Sequence, residues 1–208
     1  MSLLSELKKR VSYQSLLLAG FALLASSLLG LADFNTRDVI KVRLEEDLLA
    51  SLEQVIPSHQ YNNNLLKDTI NISSKEEQLG HDKTLVYLAR LNGQVNAVSY
   101  NVATGGYSGT INLLIGVDKT GHLLGVRVIS HTETPGLGDK IEVTKSTWIL
   151  SFNGHSLQNL SIEEWAVKKD GGTFDQFSGA TITPRAVVNA VYRGLQFFKK
   201  HQAELLDS

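Results

Sequence analysis

Hydrophobic and polar positions change rhythm several times along the chain. Residues 11–32 carry no charge, and the run "LLLAGFALLASSLLGLA" stays apolar from Leu16 to Ala32 before Asp33 ends it. As a helix these 22 residues cover roughly 33 Å, enough for a hydrocarbon layer about 30 Å thick. Over residues 35–56 apolar side chains recur at spacings of three and four, at Ile40, Leu44, Leu48, Leu52 and Val55. That stripe predicts a separate juxtamembrane helix, capped by Asn35 or Thr36, closed by Pro57, and either packed on the domain that follows or docked elsewhere. Residues 58–83 are polar, Asn-rich and without period, which predicts a loop with at most a short strand.

The period then drops to two. "TLVYLARLNGQVNAVSYNVA" (residues 84–103) holds two runs of strand formers around Asn92-Gly93, a pair that tolerates the positive φ of a hairpin turn. "INLLIGVDKTGHLLGVRVIS" (residues 111–130) repeats the design around residues 118–121. Four strands in two successive hairpins predict an antiparallel sheet. The glycine-rich "TGGYSGT" between the hairpins suits either a tight bend or a close approach of backbone to a ligand. After the sheet, "SHTETPGLGDKI" leads into a helical turn or two up to Leu150, with Asp139 as a cap, and residues 161–168 suggest a short strand containing Trp165. Residues 183–206 place Val187, Val191, Leu195 and Phe198 on one helical face, with Thr183 as N-cap and Pro184 at the first helical position. The fold class is α+β: one transmembrane helix, then an antiparallel sheet with flanking helices.

Charge decides the orientation of the apolar segment. Lys8, Lys9 and Arg10 precede it, and the positive-inside rule keeps such a flank in the cytoplasm. A cleavable leader is the competing reading, with Leu31-Ala32 as a weak cleavage site, but leader apolar regions run only about 7 to 15 residues. The chain reads as a single-pass protein of a bacterial inner membrane, with its main domain on the periplasmic side. Over its 208 residues the net charge is −1, which offers no basic field to nucleic acid. The absence of cysteine removes disulfides, thiolate zinc sites and cysteine-ligated iron–sulfur clusters. Redox chemistry would need a borrowed cofactor.

Three constellations carry candidate chemistry. His131, Glu133 and Asp139 could ligate a metal, although no HExxH helix or second histidine supports them and loop hydrogen bonding is the commoner use of such residues. Ser178 could be a nucleophile, but there is no GxSxG elbow. The third is "DQFSGATITP" (residues 175–184), immediately ahead of the last helix. Free amides and the helix dipole there favour an anion such as a phosphate, and Gly179 and Ala180 leave room for it. Plain helix capping explains the same residues.

The pattern Asp175-x-x-Ser178-Gly179-Ala180-Thr181 resembles the flavin attachment motif of the FMN-binding domain family. With the basic flank and single anchor, the "GGYSG" connection followed by "INLLIGVD", and "HTETPGLG" at residues 131–138, it resembles the G subunits of Rnf (Rsx) electron-transport complexes over nearly the whole chain. The resemblance implies a basic flank (residues 1–10), an anchor (11–32), a juxtamembrane helix and linker (33–83) and an FMN-binding domain (84–208). It implies FMN joined through its phosphate to Thr181 as a phosphoester by a flavin transferase using FAD and a divalent metal, with Asp175, Ser178, Gly179 and Ala180 in the recognised motif. Glu133, Thr134, Gly136, Leu137 and Gly138 would lie along the flavin ring, and Trp148 either stacks on it or packs in the core. The partners implied are the other subunits of the complex, the function an electron relay coupled to ion movement or to reduction of an iron–sulfur sensor. The C subunit of a sodium-translocating NADH:quinone reductase shares the threonine motif and is the alternative within the family. A non-redox, membrane-anchored assembly or binding module is the alternative outside it.

Overall fold

The computed structural model describes the backbone of residues 3–208 and the side chains of Glu6 and residues 12–208. The basic side chains Lys8, Lys9 and Arg10 lie outside the described residues. The chain divides into two compact units, Met1–Asp47 and Leu48–Ser208.

The described residues of the first unit, from Leu3, are all helical. Helix α1 (Leu3–Val55) contains the one segment among the described residues that is long and apolar enough to cross a membrane. Its Leu16, Leu18, Phe21 and Leu29 are all exposed. A helix apolar all round and covered by nothing suits lipid surroundings better than a protein core, and it fits a single-pass membrane protein. The separate juxtamembrane helix expected from the sequence is absent as such, because α1 runs on without a break. Asn35 and Thr36 do not cap a new start: the Asn35 Nδ2 donates to the Leu31 carbonyl (2.9 Å) and the Thr36 hydroxyl to that of Ala32 (2.8 Å). These bonds one turn back let both residues continue a helix. Pro57, which cannot supply an amide to continue it, follows where expected. The stripe divides as well, since Leu52 and Val55 are fully buried whereas Ile40 and Leu44 are exposed.

The second unit is built on a five-stranded antiparallel sheet whose spatial order equals chain order: β1 (Thr69–Ser73), β2 (Lys83–Leu91), β3 (Gln94–Gly105), β4 (Thr110–Asp118) and β5 (Leu123–Ser130). Asn92 (φ 55°) and Gly93 (φ 83°) make the predicted β2–β3 turn. The short strand allowed within the polar segment 58–83 is β1, paired with β2 from Thr69↔Tyr87 to Ser73↔Lys83. Side chains alternate across the sheet. Val86, Leu88, Val98, Tyr100, Val102, Leu113 and Ile115 face a core shared with α2 (Ile182–Asp207) and the segment between β5 and α2. Tyr87, Ala89, Ala97 and Leu114 face the other way, against Leu52, Val55 and Ile56 of the α1 end.

Two glycines shape that second face. Gly116 and Gly125 pair across β4 and β5. A Cβ on Gly125 would come 2.9 Å from the Val55 Cα, and one on Gly116 would strike the Val55 carbonyl. The sheet therefore carries a notch into which helix backbone fits directly. On the first face the Tyr100 hydroxyl donates to the Gly194 carbonyl (2.8 Å) at the middle of α2, and a Cβ on Gly194 would strike Ile115.

Between β5 and α2 the chain makes short 3-10 turns at Gly138–Ile141, Thr147–Phe152 and Lys168–Asp170. Ser146, not Asp139, caps one of them by accepting from the Trp148 amide. The expected strand around Trp165 does not form. Val167 and Phe174 make only an isolated bridge, while Trp165 packs against Phe174 with ring centroids 5.5 Å apart. Two bulky indole and phenyl rings buried in a loop satisfy the hydrophobic pattern without a ladder.

Candidate functional site

The last turn before α2 is set by one glycine. The Ala180 amide donates to the Phe177 carbonyl (3.1 Å), and Gly179 takes φ +80° at the third position. A positive φ there with a negative one at Ser178 is the type II pattern, which glycine meets without strain. Trp148 lies behind this turn. It is buried, makes edge contacts with Phe152 and Phe177 (5.3 and 5.1 Å) and donates its Nε1–H to the Asp175 carbonyl (2.7 Å). Of the two roles expected for it, core packing is the one it plays in this structure, holding the turn from behind.

Helix α2 starts two residues earlier than its sequence suggests, and this decides between the readings of the threonines. Ile182 is the first helical residue, with Thr181 at the N-cap position in a helical conformation (φ −72°, ψ −28°) and no side-chain capping bond. Thr183 is not the cap. It lies inside the first turn, fully buried, and its hydroxyl donates to the Glu133 Oε2. Pro184 sits within the first turn, where no partner for an amide is needed. The helix start thus leaves the Thr181 hydroxyl unspent, beside first-turn amides that the helix does not use.

In front of Thr181 opens a cleft of about 540 Å³, lined by Gly179–Thr183, by Glu133, Thr134, Leu137 and Gly138, and by Tyr107 and Lys169. That volume lies within the range of small-molecule and cofactor sites, about 300 to 1,000 Å³. A larger hollow of about 600 Å³, bordered by Leu157, Ile162, Tyr192 and Lys199, contains none of the attachment motif or the glycine loop. Of the residues named from the sequence, Thr181, Gly179, Ala180, Glu133, Thr134, Leu137 and Gly138 converge on the cleft. Ser178, Asp175 and Gly136 do not line it. Ser178 is exposed at the corner of the turn, and Asp175 pairs with Lys168 (2.7 Å) on the surface. Gly136 (φ +78°) shapes the loop in which the Leu137 and Gly138 amides both donate to the Thr134 carbonyl (3.2 and 3.1 Å).

The electrostatics centre on Glu133, whose side chain is almost wholly buried. Its Oε1 accepts from the Ser108 amide (3.0 Å) and its Oε2 from Thr183. Burial pushes the carboxyl up; the bonds from Thr183 and from the Ser108 and Tyr107 backbone more than offset it and hold it below its ordinary value. The Glu133 amide in turn donates to the His131 Nδ1 (3.0 Å), leaving the other ring nitrogen 2.7 Å from the Glu142 carboxylate. With Nδ1 accepting, the ring proton belongs on Nε2, facing Glu142. Glu133 and His131 are therefore committed to these bonds, and among the described residues no group of three His, Asp or Glu is placed to hold a metal.

Sequence reasoning missed Tyr107, Lys169 and Ile182. Tyr107 stands in the "GGYSG" segment, and its exposed ring borders the cleft. Lys169 had no signal, because its approach depends on the chain folding back between Val167 and Gln176, where the Lys169 amide donates to the Gln176 side chain (3.1 Å).

Residues 106–196, which include every lining residue of the cleft, match the FMN-binding domain family. The G subunit of an ion-translocating oxidoreductase complex from Aliivibrio fischeri is 44% identical over 204 residues, 98% of this chain and 95% of its own. The corresponding G subunit from Cereibacter sphaeroides is 49% identical over 191 residues, 92% of this chain and 85% of its own. Among solved structures, that of Shewanella oneidensis NqrC is similar with a TM-score of 0.49 and 22% identity, covering 76% of this chain and 74% of that one.

Proposed function

Because the chain belongs to the family of G subunits of ion-translocating oxidoreductase complexes, we propose that it is a membrane-anchored flavoprotein that relays electrons within such a complex, with FMN esterified to Thr181. The observation that carries this reading is Thr181, whose hydroxyl makes no capping bond at the start of α2 and which lines a cleft of cofactor size. FMN supplies reversible one- and two-electron exchange. The chain supplies the holding. Thr181 contributes the oxygen of the phosphoester, and the first-turn amides of α2 and the Lys169 ammonium offset the charge that the phosphate retains. Leu137, Ile182 and Tyr107 give apolar walls for a ring, and Thr134 and Gly138 give polar and close-approach positions. Asp175 and Ser178, outside the cleft yet on the exposed side of the same turn, are where a flavin transferase could read the motif. Covalent attachment makes occupancy independent of free cofactor, which suits a domain held on the periplasmic side of an inner membrane. The remaining members of the complex provide donor and acceptor.

The test is a denaturing gel viewed under ultraviolet light, after co-expression with a flavin transferase, together with intact mass. Protein-bound fluorescence and an added mass of FMN less water are expected, both lost in Thr181→Val. Flavin persisting in that variant would refute Thr181 as the acceptor, and Thr183, buried and bonded to Glu133, would not take its place.

A further inference from the structure

Among the described residues, Glu133 is the buried carboxylate that joins three separate walls of the cleft. It belongs to the loop after β5, accepts from Ser108 in the β3–β4 connection (3.0 Å), and accepts from Thr183 in the first turn of α2. Glycines close around it. A Cβ on Gly106 would strike its Oε1, and one on Gly138 would stand 2.9 Å from both the Glu133 Cβ and the Thr183 Oγ1. A buried carboxylate with a fixed donor on each oxygen is held in one place, and losing it strands the buried Thr183 hydroxyl and frees the Ser108 amide at once. We propose that Glu133 is a positioning residue: it latches the β3–β4 connection to the first turn of α2 and so fixes the place of Thr181, two residues before Thr183. The inference rests on the proposal that Thr181 carries the flavin.

Two variants separate positioning from general stability, in the full-length chain. Glu133→Ala removes both acceptors. Glu133→Gln keeps an acceptor for the Ser108 amide and presents an NH2 to the Thr183 hydroxyl, which can turn to accept. The rate of flavin attachment by the transferase should fall about tenfold in Glu133→Ala, the scale of stranding one buried donor, and return to within about twofold of the parent in Glu133→Gln. Hydrogen exchange of the flavin-free chain gives a second readout that does not depend on attachment. Residues 106–109 and 179–185 should lose protection together in Glu133→Ala, while β2, β3 and β4 keep theirs. Unchanged exchange in those two segments would overturn the latch, as would loosening of the whole sheet that Gln fails to rescue. If exchange behaves as expected but the parent protein accepts no flavin at Thr181, the attachment proposal falls and the latch stands.

Discussion

At Thr181 and Thr183 two identical side chains, two residues apart, have opposite fates. One is uncapped beside the cleft, and the other is fully buried against Glu133. The sequence showed the hydroxyls but not this division, because a helix boundary shifts by a residue or two with local geometry and Pro184 suits any position in the first turn. The buried bond also has a pH signature. Its partners hold the folded Glu133 carboxyl below the unfolded value, so as pH falls the unfolded chain takes up the proton first. Its contribution to stability is complete above about pH 4.3, the ordinary glutamate value, and is lost as pH drops through the lower folded value. Urea unfolding followed from pH 7 to pH 3 should therefore show a shallower acid-side loss in Glu133→Gln than in the parent. Equal slopes would mean that the Glu133 carboxyl titrates alike in the folded and unfolded chain, so that its bonds in the fold leave it unshifted.

Among the elements, those with a strict period were legible and those fixed by contacts were not. The β2–β3 and β4–β5 hairpins follow from alternation and turn residues. Strand β1 does not, since "TINIS" is short, sits among asparagines, and gains its strand character from pairing with β2. The cleft was half legible: its glycines and threonines stand in recognisable motifs, while Lys169 reaches it through a fold-back without periodicity. The notch of Gly116 and Gly125 is another contact-fixed feature. Its close neighbour is helix backbone at Val55, which cannot swing away as a side chain could. Gly116→Ala should therefore cost about 1 to 3 kcal/mol as an overpacked site, seen as a lower thermal midpoint of the detergent-solubilised chain. A neutral outcome would mean that residues 48–56 move off the sheet at little cost.

For the molecule as a whole, the proposed orientation places the sheet and cleft on the far side of the membrane from the N-terminus. The chain has no cysteine, so single thiols introduced at Ser2 and Ser208 can report topology without background. A membrane-impermeant maleimide applied to spheroplasts should label Ser208→Cys and spare Ser2→Cys, and the reverse pattern would invert the assignment. Strand order in the sheet carries a further consequence, one of timing. Each strand pairs with its neighbour in sequence, so the sheet can zip together hairpin by hairpin as the chain emerges from synthesis and export. The cleft cannot follow that schedule. Its walls run from Tyr107 to Thr183, and they are complete only when α2, which follows every strand in the chain, settles against β3. An enzyme that reads the folded cleft would meet a finished acceptor only on a chain delivered through α2. A chain cut before α2 would lose both a wall of the cleft and the cover of the sheet's core face and go unmodified, so attachment of the cofactor would double as a receipt for delivery of α2.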